Sequence, residues 1–287
     1  MLERYEVLPK MTSSYSLKGE MLELNRIYCM DALEGMKQIE DKSIDLILTD
    51  QPYNISNYGN SLTKKGNKIV VADFGDWDKW DNIEEYFLWC LKWVKEVERI
   101  LIDNGSFYVF FDNHYADHLT YLIEKETTLR QKTPIILVKN NPIPHIQKTN
   151  FRSSFERATL FIKNLDKKPK TFNFLSQKEM CNTMFYNIGQ KETEHPTEKP
   201  LEIIKRLIRV SSNEGELVLD MFMGSGTTAV ACKQLNRNFI GFELEQKYVD
   251  IANKRLAQQT LTEVCGEDTL TSNSSSGLKT NSWRGDI

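Results

Sequence analysis

Leu217-Val218-Leu219-Asp220-Met221-Phe222-Met223-Gly224-Ser225-Gly226-Thr227-Thr228-Ala229 joins a short apolar run to a helix through two glycines. Leu217 to Met221 reads as a buried strand. Gly224 and Gly226 permit a tight turn and the close approach of a ligand to the backbone. The helix N-terminus behind them offers N–H groups to a carboxylate or phosphate. Asn238 to Phe242 reads as the next strand, and Glu243 closes it, 17 residues beyond Gly226. An acid there can accept hydrogen bonds from ribose hydroxyls. No lysine follows the second glycine, which excludes a phosphate-binding P-loop. The pattern predicts a nucleoside-cofactor site; its GxGxxA spacing also fits a dinucleotide dehydrogenase, and the glycines alone also fit a turn needed for packing.

Upstream, Ser43 to Thr49 is a compact apolar run that feeds Asp50-Gln51-Pro52-Tyr53, a strand entering a proline turn. Before it, Asn25 to Ile39 reads as a strand and a short amphipathic helix. After it come a polar loop, 54–80, then a helix from Asn82 to Leu101 closed by Asn104-Gly105. Ser106 to Phe111, Pro134 to Val138 and Thr159 to Ile162 read as strands, with a helix from the Asp112-Asn113 cap through Ile123 between the first two. Lys163 to Glu194 reads as irregular. Pro200 opens a helix, and Ala229 to Leu235 and Gln246 to Leu256 read as further helices. Strands alternating with helices predict an α/β fold, a doubly wound and mostly parallel sheet. Such sheets bind ligands at the carboxyl ends of their strands, and both unusual turns would open on that edge.

The expected organisation is one domain over 1–258, with the loop 54–80 and an insertion 140–194 as candidate target-recognition segments. A Ser/Thr/Asn-rich tail over 259–287 is expected to be disordered. No run of 18 apolar residues exists, so no membrane span is expected, and the N-terminus lacks a signal-peptide core. Five scattered cysteines without a CxxC pair read as reduced cytoplasmic thiols, neither a disulfide framework nor a metal site. Net charge is −3, yet ten basic residues fall between Arg130 and Lys170 against Glu156 and Asp166 alone. That local excess suits either a phosphate backbone or a solvated face.

The Asp50 tetrapeptide suits one difficult reaction. An exocyclic amine of a nucleobase is a poor nucleophile because its lone pair is delocalised into the ring. A carboxylate and a carbonyl that both accept from the NH₂ group hold the nitrogen in a geometry that frees that lone pair. Asp50 supplies the first, the Gln51 carbonyl the second. Pro52 biases Gln51 away from helical angles, and Tyr53 offers a face to a base taken out of the stack. A strand-end turn with a buried tyrosine explains the same residues taken alone.

The two turns are joined by a third motif, His195-Pro196-Thr197-Glu198-Lys199-Pro200, just ahead of the glycine strand. Together, in this order, they resemble the β-class amino-methyltransferases of bacteria and their phages, whose D-P-P-Y, H-P-T-x-K-P and F-x-G-x-G motifs follow one another likewise. Asn25 to Asp31 and Lys139 to Pro144 fit the same family, and the resemblance spans about Leu24 to Leu256. It implies a Rossmann-like, S-adenosyl-L-methionine-dependent DNA methyltransferase of the restriction-modification type, acting on a flipped base. Asp50, Gln51, Pro52 and Tyr53 would carry the chemistry. Asp31, Asp50, Asp220, Phe222, Gly224, Gly226, Thr227 and Glu243 would hold the cofactor, with Thr197 and Lys199 near its methionine end. Asp rather than Ser at position 50 favours adenine N6 over cytosine N4.

Gln51 departs from the family's proline. The acceptor is a main-chain carbonyl, which Gln can still provide, so only rigidity is lost, about 0.5–1 kcal/mol, and activity should be reduced but survive. A silent DNA-binding subunit is the alternative, as are a cytosine-N4 enzyme and a nicotinamide-dependent oxidoreductase. No cysteine follows a proline, so no thiolate is placed for carbon methylation. Lys148, Arg152 and Arg157 in the insertion are the expected DNA contacts. A second copy of the chain and a cognate restriction endonuclease are candidate partners besides DNA.

Overall fold

An apolar run interrupted only by Asp45 makes β2 (Ile44–Asp50) a strand that can be covered on both faces, and all of it but Asp45 and Asp50 is buried. It lies in the middle of an eight-stranded sheet. The computed structural model describes residues 22–54, 62–65, 68–71, 80, 82–144, 148–165, 168–189 and 198–267; for 62–65, 68–71 and 259–267 the backbone alone is described. In chain order the elements are β1 (Arg26–Cys29), α1 (Ala32–Lys37), β2, β3 (Leu62–Lys65), β4 (Lys68–Val71), α2 (Ile83–Ile100), β5 (Leu101–Phe111) and α3 (Ala116–Glu126). Then follow β6 (Leu129–Lys139), β7 (Phe155–Lys163), β8 (Thr183–Tyr186), α4 (Leu201–Ser211), β9 (Leu217–Asp220), α5 (Thr227–Gln234), β10 (Asn238–Glu243) and α6 (Gln246–Glu267).

The strands lie side by side as β1-β10-β9-β2-β5-β7-β6-β8. All pairings are parallel except the two made by β7, which runs against β5 and β6. The expected doubly wound α/β sheet is therefore present. Its two faces are covered by different helices. Met36 of α1, Trp93 and Val97 of α2 and Leu119 of α3 share one core with Ile47 and Phe107. Ile204 and Leu207 of α4, Ala229 of α5 and Ala252 of α6 share the other with Leu46, Leu48 and Phe110. Successive β2 side chains thus enter opposite layers. α2 shows the local logic: Asn82 caps it by accepting from the Glu85 N–H at 2.8 Å. It then buries Tyr86, Trp93, Val94, Val97 and Ile100, each large side chain contributing about 1.5–3 kcal/mol.

Several boundaries differ from the sequence reading, each for a tertiary reason. Asn104-Gly105 does not end α2; that helix stops at Ile100, and Leu101, fully buried, begins β5 in extended backbone. Asn104 instead takes a positive φ of 60° beside a register shift against β2, a bulge rather than a helix cap. Asp112 precedes α3 by a turn: its carboxylate accepts from His114 N and its carbonyl from Tyr115 N and Ala116 N. The loop after Tyr53 contains the hairpin of β3 and β4. The stretch read as irregular contains β8, which adds to β6 at the sheet's edge. α6 continues to Glu267, past the expected start of the tail at 259; residues 268–287 lie outside the described chain.

Candidate active site

Because β2, β9 and β10 are parallel neighbours, their carboxyl ends open on one edge, and there a cavity of about 260 Å³ lies between them. Asp50, Gln51, Pro52 and Tyr53 line it from β2, Asp220, Phe222, Gly224 and Thr227 from the turn after β9, Glu243 from β10 and Asp31 from the N-terminus of α1. The two turns singled out in the sequence therefore face one space. β6 and β8 run in the same direction as β2, so the connections 140–154 and 187–200 leave from that edge too.

Asp50 is held on both sides. The Tyr53 hydroxyl donates to its Oδ1, and the Lys199 ammonium lies 2.6 Å from its Oδ2. Burial pushes the Asp50 carboxyl up, with Lys199 and Tyr53 pulling it back. Lys199 is itself only 9% exposed; burial would strip its proton, but Asp50 and Glu156 hold its affinity for the proton above that of an ordinary lysine. Its ammonium also lies 5.5 Å from the Tyr53 ring centre and 5.1 Å from that of Phe110. The charge of Lys199 thus faces the catalytic turn within the cavity, whose lining it joins. Thr197 lies outside the described residues.

Gln51 is 2% exposed, and its amide is used inside the protein. Its Nε2 donates to the Tyr86 hydroxyl at 2.9 Å, and its Oε1 accepts from the Cys90 thiol at 3.5 Å. The Tyr86 hydroxyl in turn donates to the Pro52 carbonyl at 3.0 Å. The rigidity expected to be lost with the proline is supplied by a side-chain link to α2. Asn54, at a φ of 57°, accepts from the Trp80 N–H and so ties the two ends of the following loop. Trp80, Trp89 and Phe222 then form an aromatic wall of the cavity, with ring centres 4.9 Å and 5.6 Å apart in sequence.

The glycine turn works differently from the sequence expectation. The amides of Phe222, Met223, Gly224 and Gly226 all donate within the protein, to Asp220, Phe242, Glu243 and Met223. Ser225, Thr227 and Thr228, at the start of the helix behind them, line the cavity. Gly226 does not line the cavity at all. It caps α5 at a φ of 83°, and a Cβ there would lie 2.6 Å from Ala252 Cβ of α6; its role is packing. Asp220 touches the cavity, but its oxygens accept from Thr49, Thr228 and Phe222, which makes it a staple between β2, β9 and α5. Glu243 accepts from Gly224 N and Glu245 N at 2.8 and 2.9 Å, one on each oxygen, leaving each oxygen a further lone pair. Asp31 caps α1 through Oδ1 alone.

Part of the basic cluster is engaged inside the fold. Lys139 pairs with Glu156 at 2.9 Å, Lys170 with Asp45 at 2.7 Å and Arg157 with Asp117 at 2.5 Å, and the Lys163 ammonium is buried against the Leu101 carbonyl. Arg157, expected on DNA, has a side chain only 16% exposed inside β7. Lys148 and Arg152 are exposed, the latter donating to the Pro142 carbonyl. Sequence reasoning missed Glu156, which it counted only as an opposing charge, and Glu198, whose carboxylate lines the cavity and meets the Arg255 guanidinium at 3.0 Å. An acid inside a basic run, one of only two there, was the available signal for the first.

A family model described as DNA methylase matches residues 44–254. The Type II methyltransferase M2.DpnII of Streptococcus pneumoniae is 30% identical over 262 residues, covering 88% of this chain and 95% of its own. The Type II methyltransferase M.HinfI of Haemophilus influenzae is 34% identical over 252 residues, covering 82% of this chain and 69% of its own. Among solved structures, an M1.HpyAVI–SAM complex superposes with a TM-score of 0.59 at 27% identity, covering 80% of this chain and 98% of that one. The cytosine-N4-specific PvuII DNA methyltransferase shares the fold, with a TM-score of 0.63 at 19% identity over 84% of this chain and 91% of that one.

Proposed function

This chain belongs to the DNA methylase family, and we propose that the base it methylates, with S-adenosyl-L-methionine as donor, is adenine, at N6. The observation that carries the reading is the single cavity shared by Asp50, at the end of β2, and by the turn after β9 with Glu243.

The cavity suits the donor. Glu243 keeps acceptors for ribose hydroxyls and Asp31 a second acid beside it, Phe222 gives an apolar face, and the Gly224 turn brings backbone close. The donor supplies an electrophilic methyl on a positively charged sulfur, which leaves as a neutral thioether. The chain's own work is to present the nucleophile. Asp50 and the Gln51 carbonyl accept from the two amine hydrogens, so the nitrogen lone pair turns toward the methyl. With the donor bound, that pair would form the new N–C bond and the C–S pair would return to sulfur. The nitrogen, now positive, gives up one proton, for which the Asp50 carboxylate is the nearest acceptor on its way to solvent. Tyr53 offers its ring to the flipped base, and Trp80 and Trp89 limit water.

Lys148 and Arg152, on a connection that leaves from the same sheet edge, would meet the duplex. A second copy of the chain and a restriction endonuclease are the further partners of this reading.

The test is incubation of the chain with mixed-sequence DNA and tritiated S-adenosyl-L-methionine, followed by nucleoside analysis and mapping of the labelled positions. N6-methyladenine is expected; N4-methylcytosine would overturn the choice of base, and no transfer to any DNA would point to a silent subunit. Asp50→Ala should abolish product while retaining donor binding.

A further inference from the structure

Both oxygens of Asp50 are already engaged by the chain itself, Oδ1 by the Tyr53 hydroxyl and Oδ2 by the Lys199 ammonium. Each oxygen keeps a further lone pair, so a base amine drawn to Asp50 competes there with a cation that already holds the carboxylate at 2.6 Å. We infer that Lys199 is a placeholder for the substrate amine, and that Glu156 is a positioning residue that receives the Lys199 ammonium when the amine takes its place on Asp50. The inference rests on the methyltransferase reading above and names the device by which that site exchanges an internal cation for its substrate.

Glu156 is built for the exchange. Its Oε1 is fixed by Lys139 at 2.9 Å and by the Tyr186 hydroxyl at 3.0 Å. Its Oε2 is buried, makes no well-formed hydrogen bond, and holds the Lys199 nitrogen in an ion pair of 3.4 Å, longer than the 2.6 Å pair on Asp50. A buried carboxylate oxygen held only by a long ion pair gains from a closer donor, and it marks the place toward which that cation can move. Burial would raise the Glu156 carboxyl, but Lys199 and Lys139 outweigh it and hold the group at about 2, so the acceptor is ionised.

Lys199 has nowhere else to go. It is 9% exposed, and a buried ammonium taken off one carboxylate needs another. The move toward Glu156 shortens the existing 3.4 Å pair as the 2.6 Å pair with Asp50 lengthens. No proton enters or leaves, and the four charges of Asp50, Glu156, Lys199 and Lys139 still sum to zero. The Tyr53 and Phe110 rings beside the ammonium lower the cost of the shift.

The experiment compares two duplexes carrying the mapped target site, one with the target base and one with its counterpart lacking the exocyclic amine, bound in the presence of S-adenosylhomocysteine. Methylation of the mapped site by the native chain tests the underlying reading separately. In Glu156→Gln, Lys199 stays on Asp50, so affinity for the amine-bearing duplex should fall about tenfold while the amine-free duplex loses less than about twofold. Adding Lys199→Met to Glu156→Gln should restore much of the lost discrimination. Equal loss on both duplexes, or none on either, overturns the inference. A structure of the native chain on the amine-bearing duplex needs no variant: Lys199 found on Glu156 supports the exchange, and Lys199 still on Asp50 Oδ2 refutes it.

Discussion

The Thr49 hydroxyl donates to the Asp220 carboxylate at 2.8 Å, across the seam between β2 and β9 and one residue before Asp50. Asp220 accepts from Thr228 at 2.6 Å with its other oxygen, so one buried acid locks the catalytic strand, the glycine strand and α5 together. The relative position of Asp50 and the cofactor turn depends on this link.

That acid has a pH signature. Burial lifts the Asp220 carboxyl to about 6, against the hydrogen bonds from Thr228, Thr49 and Phe222, from an ordinary 3.8. Between those values the native chain keeps a proton that the unfolded chain has released. The contribution of Asp220 is therefore complete below 3.8 and is lost as pH rises through about 6, about 3 kcal/mol in all. Asp220→Asn should remove this loss, so its urea stability relative to the native chain should improve across that window. A difference that stays flat with pH would contradict the assignment.

Gly226 should tolerate no side chain. A Cβ there meets Ala252 Cβ at 2.6 Å and takes a backbone φ of 83°. Gly226→Ala should cost about 2–4 kcal/mol, part overpacking and part left-handed strain. Adding Ala252→Gly should recover the packing share alone. Thermal or urea unfolding of the two variants decides it; full tolerance of the single change would show that the helices can part freely.

Gln51→Pro is expected to bring no gain. Proline would add about 0.5–1 kcal/mol through unfolded-state entropy. It would also remove the bonds to Tyr86 and Cys90, worth about the same each. Methylation no faster than native, with a nearly unchanged melting temperature, is the expected result, and a tenfold faster variant would show that Gln51 limits activity. Tyr86→Phe should be worse, since it strands the buried Gln51 amide and costs about 1–3 kcal/mol.

The basic residues should separate in a salt titration. Lys148→Ala and Arg152→Ala should each lower the slope of log affinity against log salt by about 1. Arg157→Ala should leave that slope alone and instead lower stability by about 1 kcal/mol through lost packing and its bond to Asp117. A reduced slope in Arg157→Ala would place it on DNA after all.

The amino-acid sequence by itself determined the layered fold and the order of its chemistry. Runs such as Ile44 to Leu48 and the period of α2 encode burial locally, and strand–turn motifs place Asp50 and Gly224 at carboxyl ends whatever else the chain does. Only the tertiary structure decided which charges are spent and which are free. Lys199 meets Asp50 from 149 residues away and Arg157 meets Asp117 from 40, and no local pattern records such partners. Burial then decides the rest: it turned Gln51 from a departure into an anchor, Gly226 from a ligand contact into a packing contact, and Glu156 from a stray acid into a neighbour of the catalytic carboxylate. A side chain's chemistry is set by what surrounds it, and those surroundings come into being only when distant segments pack.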